Sequence, residues 1–432
     1  MTNIVIGIDG GCFEHIEPLL KENLLPNIKK IIENGFFANL EETIPPITVP
    51  SWACLFSGLT PEQLGYFDFV HPVKGLFSSH IWQNYSIFSL IKSRSFILNV
   101  PGTYPAWKIN GEMIAGMMAP SLNCFPPELK FILEKNWIKS ENSVFEAFKA
   151  YEIRKKLFLR KLKEDFEFMV YVAKIPDTVT HFSSSGENQT RRLIYLSYLK
   201  LDKLLGEILR EKKVENIIIF SDHGLKHYDN ELNIRRWLEK KGLIYINFGN
   251  GKILTSILLK LYNFIRPPYI KNNPLRSFYF KILNFQKKRI KDTKNLSRNN
   301  YRDVSLRRFS SNVGALFLQE NEKKNTIEIM NMLKKDKNIK NVIMPNIDGF
   351  PDLYIILKDK FYFGIEPALY LKVKMDMFDH SEMGLFLAYG KDIVKGQKEI
   401  VNYLSVAPTI LKLLNIKKPN YMKGTVLEIF KN

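Results

Sequence analysis

Four runs along the chain are apolar without alternation and end on polar residues: NIVIGIDG (3–10), SFILNVPG (95–102), FEFMVYVAKIPD (166–177) and NIIIFSDHG (216–224). Continuous Val, Ile and Phe over such lengths predict strands buried on both faces, as in a parallel sheet. Between them apolar positions return at helical spacing. EPLLKENLLPNIKKIIENG reads as a helical stretch closed by Gly35 at C′, and RRLIYLSYLKLDKLLGEILREKK (191–213) as another helix. In PPITVPSWACLFSG (45–58), Pro45, Pro46 and Pro50 fix φ and remove amide donors, so no strand or helix interior passes through. The run Ser51 to Phe56 predicts a helix with Pro50 or Ser51 near its first turn, which leaves Thr48 at or just before a helix N-terminus.

Further on, VGALFLQ, TIEIMNMLKKDK, NVIMPN and DLYIILKD predict a small β-α-β-β unit over 313–360. GLFLAYG (384–390) resumes a core-like strand, and LSVAPTILKLLNI (404–416) reads as a final packing helix. Strand–helix alternation predicts an α/β fold, a doubly wound, mostly parallel sheet with helices on both faces, whose functional groups gather at the carboxyl ends of the strands. We expect residues 1–245 and 377–432 to form this core. Residues 246–376 are expected to be an inserted α+β cap, beginning with the segment 250–310.

Composition changes this picture in two places. The chain has 432 residues, room for two domains or one with insertions, and only three cysteines, Cys12, Cys54 and Cys124, without a CxxC pair. That argues against a disulfide framework or a cysteine-based zinc knuckle and fits a reducing compartment. With no secretory signal and no apolar run long enough to span a bilayer, the expected location is the cytoplasm, with peripheral membrane attachment left open. The net charge of +19 is uneven: residues 251–310 hold fifteen Lys/Arg against Asp292 and Asp303, or +13 of the total.

The candidate chemistry lies at the strand ends. Asp9 follows the first strand, Asp177 and His181 stand four apart in PDTVTH, Asp222 and His223 adjoin in SDHG, and His380 comes late. Carboxylate oxygen with neutral imidazole suits Zn²⁺, and Mn²⁺ or Fe²⁺ also accept it. Singly, each residue reads as a cap, loop or core residue. Five segments together at consecutive strand ends do not read as coincidence.

In this order the residues resemble the alkaline phosphatase superfamily, and within it the type I phosphodiesterase/nucleotide pyrophosphatase family. The resemblance runs over roughly 1–245 and 378–432: Asp9, Thr48 in PPITVPSWACLFSGLTPEQLG, the DxxxH pair, the DH pair and His380 in DHSEMG. It implies an alkaline-phosphatase-like fold and two divalent metal ions, zinc foremost with manganese or iron as alternatives. Asp177, His181 and His380 would hold one metal; Asp9, Asp222, His223 and the Thr48 oxygen would hold the other. Two such cations stabilise both attacking and leaving oxygens of an in-line displacement. The implied activity is phosphodiester or diphosphate hydrolysis with Thr48 as nucleophile and a phosphothreonine intermediate. A phosphomonoesterase of the same superfamily, or a non-catalytic relative that binds polyanions or membrane surfaces, are the alternatives.

The resemblance has departures. Relatives carry a phosphate-holding Asn about twenty residues beyond the nucleophile, where this chain reads GYFDFVHP with Asp68 and His71. His227, four residues past His223, reads first as a surface-loop histidine. Segment 251–310 interleaves its charge with Tyr262, Phe264, Tyr269, Phe278, Tyr279, Phe280 and Phe285. Beside a solvated lid, this composition fits an anionic membrane surface or lipid-linked substrate, ranked above nucleic acid because no nucleic-acid-binding module is present.

Overall fold

The computed structural model describes residues 1–71, 74–138, 141–183, 186–243, 304–318, 323–345, 347, 349–365 and 371–431. Most of the basic segment 250–310 therefore lies outside the described residues. The chain divides into two compact units. One comprises Met1–Ser183, Gln189–Lys226 and His380–Asn432; the other comprises Ser184–Asn188 and His227–Asp379.

The larger unit is built on a nine-stranded sheet. Its spatial order is Gly396–Asn402, Phe36–Glu41, Met383–Gly390, Val214–Phe220, Thr2–Ile8, Phe168–Ala173, Ser95–Leu98, Gly111–Ile114 and Cys124–Phe125. Five of its eight pairings are parallel, so the sheet is mostly parallel, as the unbroken apolar runs predict. The three central strands are in register, with Ile4 beside Met169 and Ile217. Successive residues of a strand point to opposite faces, and Val172 and Tyr171 show that both faces are covered. Trp52 of the helix Thr48–Ser57 lies on the Val172 side, where a Cβ added at Gly7 would meet its indole at 2.4 Å and Val172 Cγ2 at 2.8 Å. Phe158 of the helix Val144–Lys161 meets the Tyr171 ring on the other side, centroids 5.6 Å apart. Gly7 is thus a close-approach glycine that makes room for an indole in the core.

Two local expectations need correction. The stretch ending at Gly35 is two helices, Phe13–Lys21 and Pro26–Asn34, because Pro26 removes an amide and starts the second. Gly35 has φ −124° and is extended, so left-handed conformation is not what requires a glycine. Contact is: a Cβ there would fall 2.1 Å from the Ala388 carbonyl oxygen.

In the smaller unit an antiparallel sheet runs in the order Val304–Arg308, Val313–Leu318, Leu353–Leu357 and Ile339–Ile343. The helix Thr326–Lys334 buries Ile329 and Leu333 against it. Its first strand falls within the basic segment and was not expected. Leu306 packs toward the apolar cluster, while Arg307 and Arg308 lie over the rings of Phe309 and Tyr362, at 5.4 and 4.5 Å from the centroids. Guanidinium stacking of this kind lets a strand rich in arginine pack. A three-stranded sheet runs Tyr362–Gly364, Gly224–Asn233 and Lys372–Ser381. Among the described residues, no helix is long and apolar enough to cross a membrane.

Candidate active site

Parallel pairing places the carboxyl ends of Thr2–Ile8, Phe168–Ala173 and Val214–Phe220 side by side. Each strand stops where its sequence turns polar, and the loops are tied to one another. The Asp177 amide donates to the Asp9 carbonyl at 3.2 Å, and the Gly10 amide to Asp222 Oδ1 at 3.4 Å. Ser221 Oγ donates to Gly11 O at 2.7 Å and accepts from the Leu385 amide at 2.8 Å. Backbone and hydroxyl bonds therefore fix the loops before any ligand arrives.

On this frame six of the seven side chains named from the sequence converge. Asp177 and His181 lie one turn apart on the helix Ile175–Phe182, with His181 Nε2 3.2 Å from Asp177 Oδ1. His380 Nε2 approaches the same oxygen at 3.1 Å. His223 Nε2 stands 3.4 Å from Asp9 Oδ1 and 3.5 Å from Asp222 Oδ2. The rings of His223 and His380 stack at 3.6 Å between centroids. One ligand atom each from Asp9, Asp222 and His223, and likewise from Asp177, His223 and His380, lie within 4.8 Å of one another. His223 thus faces both halves of the cluster, and His181, half-exposed, stands at its rim.

Thr48 is the seventh. It is buried and opens the helix Thr48–Ser57, and no cap bond is made by the preceding Ile47 side chain. The next residue, Val49, packs against Gly102 in the loop after the strand Ser95–Leu98. Trp52, one turn on, packs against Gly7. The helix therefore begins at the same carboxyl edge of the sheet, with its N-terminal amides and positive dipole end there.

The cluster's chemistry fits divalent cations. Asp9, Asp177, Asp222 and His223 are buried, yet both Asp9 oxygens, Asp222 Oδ2 and His223 Nε2 have no hydrogen-bond partner among the described residues. Buried charged groups left in this state are costly unless a counter-charge joins them. Burial, then repulsion from Asp177, pushes the Asp9 carboxyl up. Burial, then repulsion from Asp9 and Asp177, pushes Asp222 up further. For Asp177 burial pushes upward too, but His181 and then His380 hold it well below the ordinary carboxylate range. Three carboxylates crowded onto imidazole nitrogens need positive charge, and oxygen–nitrogen donors of this kind suit zinc or manganese.

Asp68 and His71, at the place of the missing Asn, are both buried. Asp68 Oδ1 accepts from the Phe69 amide at 2.6 Å and His71 Nδ1 from the Lys74 amide at 3.0 Å, so each helps shape its own loop. His227 is not a loop residue. It lies on the strand Gly224–Asn233 with its side chain 11% exposed, between nearby Asp229 and two carboxylates distant in sequence, Glu187 and Asp376. No local spacing marks it.

Behind the DH loop, buried His15 sets its Nε2 3.0 Å from the Leu225 carbonyl oxygen. Burial, then repulsion from Arg191, lowers its pKa from 6.5 to about 4. As pH falls through 6.5 the unfolded chain takes a proton that the folded chain refuses, so stability drops across the window 6.5 to 4. At pH 5 the loss from this group is about 2 kcal/mol. Denaturant unfolding at pH 7.5 and 5 should show wild type losing about that much more than His15→Asn; equal losses would contradict it.

The type I phosphodiesterase / nucleotide pyrophosphatase family model matches residues 3–369. No curated protein sequence matches. Among solved structures, murine ectonucleotide pyrophosphatase / phosphodiesterase 5 is similar at 15% identity and TM-score 0.57, with 96% of each chain covered. An inactive threonine-to-alanine variant of that protein, in complex with AMP, is similar at 14% identity and TM-score 0.57, with the same coverage. Phosphonoacetate hydrolase from Sinorhizobium meliloti 1021, in complex with phosphonoformate, is similar at 12% identity and TM-score 0.59, with 94% of each chain covered. The likeness to these structures is one of fold. On the family match over most of its length, the chain belongs to the type I phosphodiesterase / nucleotide pyrophosphatase family.

Proposed function

We propose that this protein is a metal-dependent phosphodiesterase or nucleotide pyrophosphatase that works through Thr48. The observation that supports this most is the buried set Asp9, Asp222 and His223 beside Asp177, whose partnerless Asp9 oxygens, Asp222 Oδ2 and His223 Nε2 are a cost of folding that bound cations would offset. Asp177, His181 and His380 would hold one divalent cation, and Asp9, Thr48, Asp222 and His223 the other. When bound, zinc or manganese would supply the positive charge that favours the alkoxide of Thr48 and offsets charge on the phosphoryl oxygens.

The chain's own groups carry the remaining steps. Thr48 Oγ attacks phosphorus and gives up its proton, the phosphorus–oxygen bond to the leaving group breaks, and a phosphothreonine ester forms that, from a diester or diphosphate, still carries the substrate's other group. Water then cleaves that ester and returns the hydroxyl. Amides at the start of the Thr48–Ser57 helix would donate to a phosphoryl oxygen as negative charge builds. His181 Nε2 and His380 Nε2 both stand close to Asp177 Oδ1, which would bring the three groups together around one cation. The AMP complex of the murine neighbour supports a nucleotide as the substrate class to test first.

The test is turnover, after loading with Zn²⁺ or Mn²⁺, of bis-p-nitrophenyl phosphate, p-nitrophenyl thymidine monophosphate and p-nitrophenyl phosphate. The two diesters should be cleaved faster than the monoester. A preference for the monoester would replace the diesterase reading by a monoesterase one, and no turnover of any would favour the non-catalytic alternative.

A further inference from the structure

A second histidine–carboxylate group lies within the smaller unit and shares no residue with the first. Glu187 opens the helix Glu187–Leu209, His227 lies on the strand Gly224–Asn233, and Asp376 lies on the neighbouring strand Lys372–Ser381. His227 Nε2 is 2.7 Å from Asp376 Oδ1. Its Nδ1 is 3.3 Å from Asp229 Oδ1 and 3.8 Å from Glu187 Oε2. One ligand atom each from Glu187, His227 and Asp376 lie within 4.8 Å of one another. Phe378 packs against the imidazole with 5.0 Å between ring centroids and limits its rotation.

Charge decides what this arrangement lacks. Among the described residues, the ion pairs of Asp229 and Asp376 both run to this one ring. It supplies at most a single positive charge to two carboxylates, and none when neutral. A metal-bound histidine has one nitrogen on the cation and the other bonded to an orienting carboxylate, and Asp229 at Nδ1 would fill that second role if Nε2 and Asp376 shared a cation. Two carboxylate oxygens and one imidazole nitrogen from three separate elements form an open-sided ligand set for Zn²⁺ or Mn²⁺.

We propose that Glu187, His227 and Asp376 bind a further divalent cation, with Asp229 beside the ring as its supporting carboxylate. The cation would tie the first turn of a long helix to two strands that are distant in sequence.

Equilibrium dialysis against Zn²⁺ followed by metal analysis tests this. Asp376→Asn and His227→Gln should each bind one equivalent fewer than wild type, and Zn²⁺ should slow amide exchange at 186–190 and 374–378 in wild type but not in Asp376→Asn. If His227→Gln fails to fold, Glu187→Gln gives the same reading. Asp222→Asn, made to disable the candidate active site, separates this inference from the proposed function. The equivalent lost on changing His227 should still be present in Asp222→Asn and absent from Asp222→Asn combined with His227→Gln. Unchanged stoichiometry in Asp376→Asn, or no difference between the last two proteins, would overturn the assignment whatever the catalytic result.

Discussion

Thr48→Ala should lower diester turnover by about 10³-fold or more while the protein still folds and still takes up its metals. Removing a nucleophile abolishes the covalent route and leaves only direct attack by water, which the remaining site assists weakly. Metal should stay because six of the seven proposed ligands remain, and the substitution removes a hydroxyl from the first turn of a helix without removing a cap. Thr48→Ser, which keeps the hydroxyl, should recover a measurable part of the rate. Trapping separates nucleophile from mere ligand: acid quench during diester turnover should leave a phosphoryl group, with the substrate's remaining ester still on it, on the wild-type peptide spanning 45–58 and none on the Thr48→Ala peptide. Turnover by Thr48→Ala within tenfold of wild type would remove the covalent route.

Asp222→Asn should lose activity by a similar or larger factor and yet make the metal-free protein more stable. Asp222 is buried beside Asp9 and Asp177, and the two neighbours repel its charge. A folded-state pKa raised above the ordinary 3.8 means that the ionised carboxylate opposes folding. That cost is absent below the unfolded pKa and grows until pH passes the raised one. Asparagine keeps the shape without the charge. In chelator at pH 8 the variant should gain on the order of 1–3 kcal/mol, read as a melting temperature higher by a few degrees. With saturating Zn²⁺ the order should reverse, because binding adds stability to the form that binds. A variant less stable than wild type in chelator would mean that the carboxylate serves the fold and not a cation.

Much of the catalytic unit was legible because its signals are local. Buried parallel strands are written as unbroken apolar runs, and each run ended in the polar residue that now stands at the carboxyl edge, as at Asp9 and Asp222. The spacing of Asp177 and His181 needed only one helical turn. Other features depend on contacts that no local pattern encodes. Gly35 looked like a helix terminator, but the Ala388 carbonyl, remote in sequence, is what forbids a side chain there. The strand Val304–Arg308 was hidden by its charge, since its arginines are accommodated by aromatic faces, one of them Tyr362. His227 looked ordinary because its partners come from Glu187 and Asp376, forty residues before it and well over a hundred after it. The positions of His181 and His223 also refine the expected division of ligands. His223 faces both carboxylate groups, whereas His181 meets Asp177 and the edge of the His380 ring and keeps half its surface open.

In the function proposed above, these buried acids and imidazoles carry a pair of cations beside one hydroxyl. Anomalous diffraction from crystals grown with Zn²⁺ measures this directly. Two peaks are predicted, one bounded by Asp177, His181 and His380 and the other by Asp9, Asp222 and His223 with Thr48 Oγ as a further ligand. Crystals with no anomalous density among these residues, or with the Thr48 hydroxyl turned away from it, would contradict the account.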